Sequence, residues 1–134
     1  MKITIADPKT GKTYQKEIDE SQASALYGKK IGAEIDLSDI GLGGFKGVIT
    51  GGSDKQGFPM RKDVHGTGRT KVLLTYGVGM KEKGKGLRKR KTVRGNTISG
   101  EIAQVNIKVT ETSGQDIAKV FGGEEKKDEE TTKE

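Results

Sequence analysis

The chain has 134 residues, a net charge of +6, no cysteine and no tryptophan. Disulfides and thiolate metal sites are thereby excluded, and no apolar run approaches the roughly 18 residues of a membrane span. Leu, Ile, Val and Phe supply only 28 residues, enough for one small core and little more.

Val and Ile together outnumber Leu threefold, and 21 glycines accompany them. That balance favours strands joined by tight turns. Met1–Asp7 alternates polar and apolar residues, with Ile3 and Ile5 on one face, and lacks the apolar centre of a signal peptide. The expectation is a soluble cytoplasmic protein. Asp7-Pro8-Lys9-Thr10-Gly11 is a turn, and Thr13–Ile18 returns as the second strand of a hairpin. Ala6–Thr13 also fits a loosened phosphate-binding loop, but that mechanism needs a helix after Lys12-Thr13, and Tyr14–Ile18 reads as strand. A second near-miss, Gly79–Gly86, fails at its last position.

Asp19 with Gln22 three residues on marks a helix start. Ala23, Leu26 and Tyr27 complete an apolar face, so a short helix is expected over Glu20–Tyr27, ended by Gly28. Ile35 and Leu37 alternate with acids in a strand. Asp39–Gly44 is a glycine-rich connection, and Phe45–Thr50 is the next strand. It leads into Ile49–Met60, a stiff loop in which Gly51 and Gly52 are expected to supply unusual backbone angles. In the same loop Asp54 bonds its own downstream backbone, Gly57 admits close approach, and Pro59 fixes one dihedral. Phe58 and Met60 flank the proline, and Arg61 and Lys62 follow. Asp63–Arg69 is polar and holds the single histidine, His65, a loop residue without a catalytic partner. Thr70–Tyr76 is the most apolar run and reads as a central strand.

Gly77–Leu87 is a flexible Gly-Lys segment. It joins Arg88–Gly95, so that Lys81–Arg94 carries eight cations against Glu82 alone. Such a segment stays in water or meets anions, and is expected to order on binding. Glu101–Thr110 reads as the closing strand, through Ile102, Val105, Ile107 and Val109. Asp116–Phe121 forms one or two helical turns using Ile117, Val120 and Phe121. The acidic stretch Glu124–Glu134 has no apolar residue and is expected to be disordered. The organisation that emerges is one domain over 1–122 and a tail over 123–134. The fold is mainly β, a small closed barrel of about six to eight strands with one short helix.

Residues 51–100 hold thirteen Lys or Arg against Asp54, Asp63 and Glu82, the footprint of a polyanion binder. No acid–base pair, nucleophile constellation or metal cluster is visible, so neither catalysis nor a cofactor is expected. Two motifs sharpen this. Ile-Thr-Gly-Gly-x-Asp-x-x-Gly-x-Pro-Met at 49–60 and Arg-Lys-Arg-Lys-Thr-Val-Arg-Gly at 88–95, with Arg69–Leu74 between them, resemble the small-subunit ribosomal protein family S6e of archaea and eukaryotes. The resemblance covers about residues 1–110. The chain then ends in an acidic tail instead of the long basic helix of the larger eukaryotic members, and so resembles the short archaeal form.

The resemblance implies a structural ribosomal protein bound to small-subunit ribosomal RNA and to neighbouring ribosomal proteins, monomeric when free. The residues expected to meet RNA are Lys55, Gln56, Phe58, Arg61, Lys62, His65, Arg69, Lys81, Lys83, Lys85, Arg88, Lys89, Arg90, Lys91 and Arg94. Those expected to shape the loop are Gly51, Gly52, Asp54, Gly57, Pro59 and Met60. Phe58 has two readings, a base-stacking ring or a plug of the core. A free-standing nucleic-acid-binding module is the alternative function.

Overall fold

A computed structural model describes residues 1–121. β1 (Lys2–Asp7) and β2 (Lys12–Glu17) form the expected hairpin. The Asp7 carboxylate closes its turn, accepting from the Lys9 amide at 3.0 Å and the Thr10 hydroxyl at 2.9 Å. Strand, not helix, follows Lys12-Thr13, as the rejection of a phosphate-binding loop requires. β3 (Glu34–Asp36) pairs antiparallel with the long β4 (Phe45–Asp54), and β4 pairs antiparallel with β7 (Ile102–Thr112). β7 lies parallel to β1. The five strands make one sheet in the order β2-β1-β7-β4-β3.

That order corrects the expected barrel. β2 and β3 remain edges of an open sheet, because β5 (Arg69–Leu74) and β6 (Lys89–Arg94) pair only with each other, as a separate two-stranded ribbon. The edges are protected by other means: β2 is studded with Lys12, Lys16 and Glu17, and β3 is three residues long. Two strand assignments change accordingly. β5, the most apolar run, lies in the ribbon and leaves Leu73 half exposed, whereas β7 is the central strand of the sheet.

The main core follows the alternation. Ile3 and Ile5 of β1, Phe45 and Ile49 of β4, and Val105, Ile107 and Val109 of β7 are all buried. Each isoleucine so buried contributes about 1.5–3 kcal/mol. Leu26, Leu37, Ile40 and Leu42 cover the sheet from the connections. Ile117 and Phe121 close the core from a helical stretch over 117–121, with Phe121 stacked on Tyr14 at 5.0 Å, while Val120 faces solvent. A smaller cluster of Leu74, Met80 and Val93 sits under the ribbon, with Val64, Val72 and Leu87 packed on it.

The helices are shorter than expected. α1 spans only Glu20–Ala23 and continues as turns to Gly28. Asp19 is its N-cap residue, but its side chain makes no capping bond. Leu37 opens a 3-10 turn, Leu37–Ile40, instead of extending β3; the Asp36 carboxylate accepts from the Ser38 amide and so bends the chain there. The disorder expected over 123–134 lies outside the described residues.

Candidate nucleic-acid interface

The stiff loop and the cationic ribbon meet at Asp54. Its carboxylate is 2% exposed and accepts four hydrogen bonds. Oδ1 takes the Gln56 and Phe58 amides at 2.9 and 3.0 Å, which fixes the turn as the sequence predicts. Oδ2 takes Arg69 Nε at 2.7 Å and Arg94 Nη1 at 3.1 Å. Arg69 and Arg94 face each other across the ribbon, at the start of β5 and the end of β6, so one carboxylate ties the ribbon to the end of β4. Burial works to raise the Asp54 pKa; the Arg69 guanidinium, the Phe58 amide, Arg94 and the Gln56 amide outweigh it and hold the group at about 2.

Arg94 is 4% exposed. Its Nε donates to the Thr67 carbonyl at 2.9 Å, and its Nη2 to Glu101 at 2.6 Å. Burial disfavours its charge, but Glu101 and Asp54 more than compensate and raise its pKa. A buried guanidinium with every neighbour satisfied is a brace. Of the two fates expected for the cations of 81–94, water or anions, this residue takes the second within the protein itself, where two acids and a carbonyl replace its water. Arg69 is also engaged: beyond Asp54 it donates to Gln56 Oε1, and its guanidinium lies 4.7 Å over the Phe58 ring. Phe58 is half-buried beneath it; the plug of the core is Met60, 3% exposed.

The glycines act differently from expectation. Gly51 and Gly52 lie inside β4, opposite Asn106 and Val105, and neither has positive φ. Gly52 is needed for close approach, since a Cβ there would collide with the Gln104 carbonyl and come within 3.1 Å of the Met60 sulfur; at Gly51 it would meet nothing. Gly57 is the residue that supplies the left-handed angle, φ +90°, with no neighbour crowding it. Pro59 pairs with Ser53 and accepts from the Arg94 amide at 2.8 Å, closing the loop against β6.

All three acids of residues 51–100 hold cations. Asp54 holds Arg69 and Arg94; Asp63 pairs with Arg61 at 3.2 Å; Glu82 takes both Lys89 and Lys91 at 3.1 Å. The Glu82 carboxyl is drawn down to about 2 by its own amide and by these two lysines. Arg61 also donates to the Val78 carbonyl at 2.8 Å. Five of the thirteen cations are therefore ion-paired within the protein. The eight left without an ion pair among the described residues are Lys55, Lys62, Lys71, Lys81, Lys83, Lys85, Arg88 and Arg90, all exposed. Lys71, on β5, is the one the sequence reading left out. Gln56 and His65 are exposed as well. Among the described residues no group of His, Asp and Glu could hold a metal, and no helix is long and apolar enough to cross a membrane.

These features define a class: a small basic β protein whose inner charges brace its backbone and eight of whose outer cations have no ion pair among the described residues. The comparisons with known proteins narrow it. The sequence model of the family described as Ribosomal protein S6e matches residues 1–122. The small ribosomal subunit protein eS6 of Methanosphaera stadtmanae is 48% identical over 129 residues, 96% of this chain and 98% of its own length. That of Methanocaldococcus jannaschii is 50% identical over 121 residues, 90% of each chain. That of Methanoregula boonei is 45% identical, spanning 100% of this chain and 94% of its own. The chain belongs to the ribosomal protein S6e family and is accordingly a structural protein, not an enzyme.

Proposed function

We propose that the protein is a structural constituent of the small ribosomal subunit, in the cytoplasm, and that it grips ribosomal RNA with the eight unpaired cations around the ribbon. The observation that carries this reading is the charge of residues 69–94, ten cations against one acid, of which the anchoring ion pairs leave six without a partner among the described residues. Lysines act there as point charges; Arg88 and Arg90 offer forked donors that match a phosphate. Neutralised phosphates release counterions, and that release provides most of the affinity. The Asp54 loop contributes by fixing the ribbon's direction, so that the cations match the shape of a folded RNA without reading its bases. Neighbouring ribosomal proteins complete the surroundings of a protein that is monomeric before assembly.

The test is binding of full-length archaeal small-subunit ribosomal RNA at increasing salt. With eight phosphate contacts, affinity falls about 10³- to 10⁵-fold between 50 and 200 mM salt. Affinity that barely responds to salt would overturn the mechanism. Failure of the protein to sediment with small subunits would overturn the ribosomal role.

A further inference from the structure

We propose that Tyr76 is a stacking platform for an unpaired base of the bound RNA. This rests on the RNA reading above and deepens it. Tyr76 is 79% exposed, more than any other aromatic residue described, and Val78 beside it is 54% exposed. Two large apolar side chains held in water at the turn after β5 are costly unless something covers them.

Of the other rings, Tyr27 is 39% exposed and lies outside the ribbon, beside Gly100, and the remaining four are engaged. Phe58 carries Arg69 on its face, Tyr14 and Phe121 stack on each other, and Phe45 is in the core.

The turn that presents Tyr76 is stiff. Arg61, with its side chain only 15% exposed, reaches under it and donates to the carbonyls of Val78 and Tyr76 at 2.8 and 3.5 Å. Asp63 holds the other side of the same guanidinium. Gly77 has φ +97°, and a Cβ there would lie 2.9 Å from Arg61 Nη1. Arg61 is therefore a strut for this turn, and the ring above it is preorganised before any ligand arrives. Beside the ring opens a cavity of about 520 Å³, lined by Ile31, Thr50, Met60 and Lys62 as well as Tyr76 and Val78. Arg61 and Asp63 line it as well, the acid being paired with that arginine at 3.2 Å, so that apolar side chains and the unpaired Lys62 remain to meet a flat base with a phosphate attached.

Charge decides the occupant. The ring sits within the segment that carries ten cations and one acid, so an anionic chain reaches it first, and an unstacked base is the apolar part of such a chain.

The experiment compares wild type, Tyr76→Phe, Tyr76→Leu and Tyr76→Ala for binding to protein-free, full-length archaeal small-subunit ribosomal RNA. Melting curves verify the fold, which an exposed side chain should leave unchanged. Tyr76→Phe keeps wild-type affinity. Tyr76→Leu and Tyr76→Ala weaken it about 5- to 100-fold, the range for one lost stacked base, with the same salt dependence as wild type. Wild-type affinity in Tyr76→Leu overturns the proposal, since size and apolarity then suffice. So does a Tyr76→Ala defect confined to assembly with ribosomal proteins, which would make the site a protein contact. Wild-type protein that shows no salt-sensitive RNA binding removes the RNA reading itself, whereas salt-sensitive binding indifferent to Tyr76 removes only the stacking.

Discussion

Replacing Asp54 with Asn tests the brace directly. The new side chain keeps the shape and can still accept the Gln56 and Phe58 amides through Oδ1. At Oδ2, however, it presents an amino group to Arg69 Nε and Arg94 Nη1, donors facing donors. Arg94 retains Glu101 and the Thr67 carbonyl but loses its buried anion. Breaking a buried pair from one side costs about 3–5 kcal/mol, which for a chain of this size lowers the melting temperature by roughly 10–20 °C. The pH dependence supplies a second reading. The Asp54 pKa is depressed from 3.8 to about 2, so its contribution is complete above pH 4 and disappears as pH falls towards 2. That is about 2 kcal/mol in wild type, and it is absent in the variant. Urea unfolding followed by circular dichroism from pH 7 to pH 2 measures both. The gap between the two proteins should be largest at pH 7 and narrow below pH 4. A gap under about 1 kcal/mol at pH 7, or one that stays constant down to pH 2, would refute the reasoning.

Two further predictions concern neighbours of the brace. Gly52→Ala places a methyl against the Gln104 carbonyl and should destabilise by about 1–3 kcal/mol, whereas Gly51→Ala, which meets open space, should change stability by no more than about 0.5 kcal/mol; chemical denaturation of both tells them apart. Arg61→Ala should weaken RNA binding yet leave the slope of affinity against salt unchanged, because Arg61 is held by Asp63 and the Val78 carbonyl and acts on the turn. A slope smaller by about one contact would make it a phosphate ligand after all.

The sheet was legible where alternation is local. Ile3 and Ile5, and Val105, Ile107 and Val109, fall on one face in the sequence and lie in the core. Closure was not legible, since it depends on which distant strands pair, and nothing within Arg69–Leu74 says that its only partner is cationic β6. At the loop, the bonds from Asp54 to Gln56 and Phe58 were readable because they span two and four residues; those from Arg69 and Arg94 span fifteen and forty. A signal was nonetheless present. Only three acids interrupt residues 51–100, and in a stretch so basic each acid has cations to hold in place. The two adjacent glycines look alike in sequence, and only the carbonyl of Gln104 distinguishes them.

β7 occupies the middle of the sheet although it is the last strand of the described chain, and its parallel partner β1 is the first, with Lys2 opposite Gln104. While the protein is being synthesised, the β1–β2 hairpin and the β3–β4 pair therefore have no strand to join them to each other until β7 has left the exit tunnel. Contacts between such distant parts of a chain form slowly. The nascent chain thus exposes its cationic ribbon segment before the sheet that will orient it is complete.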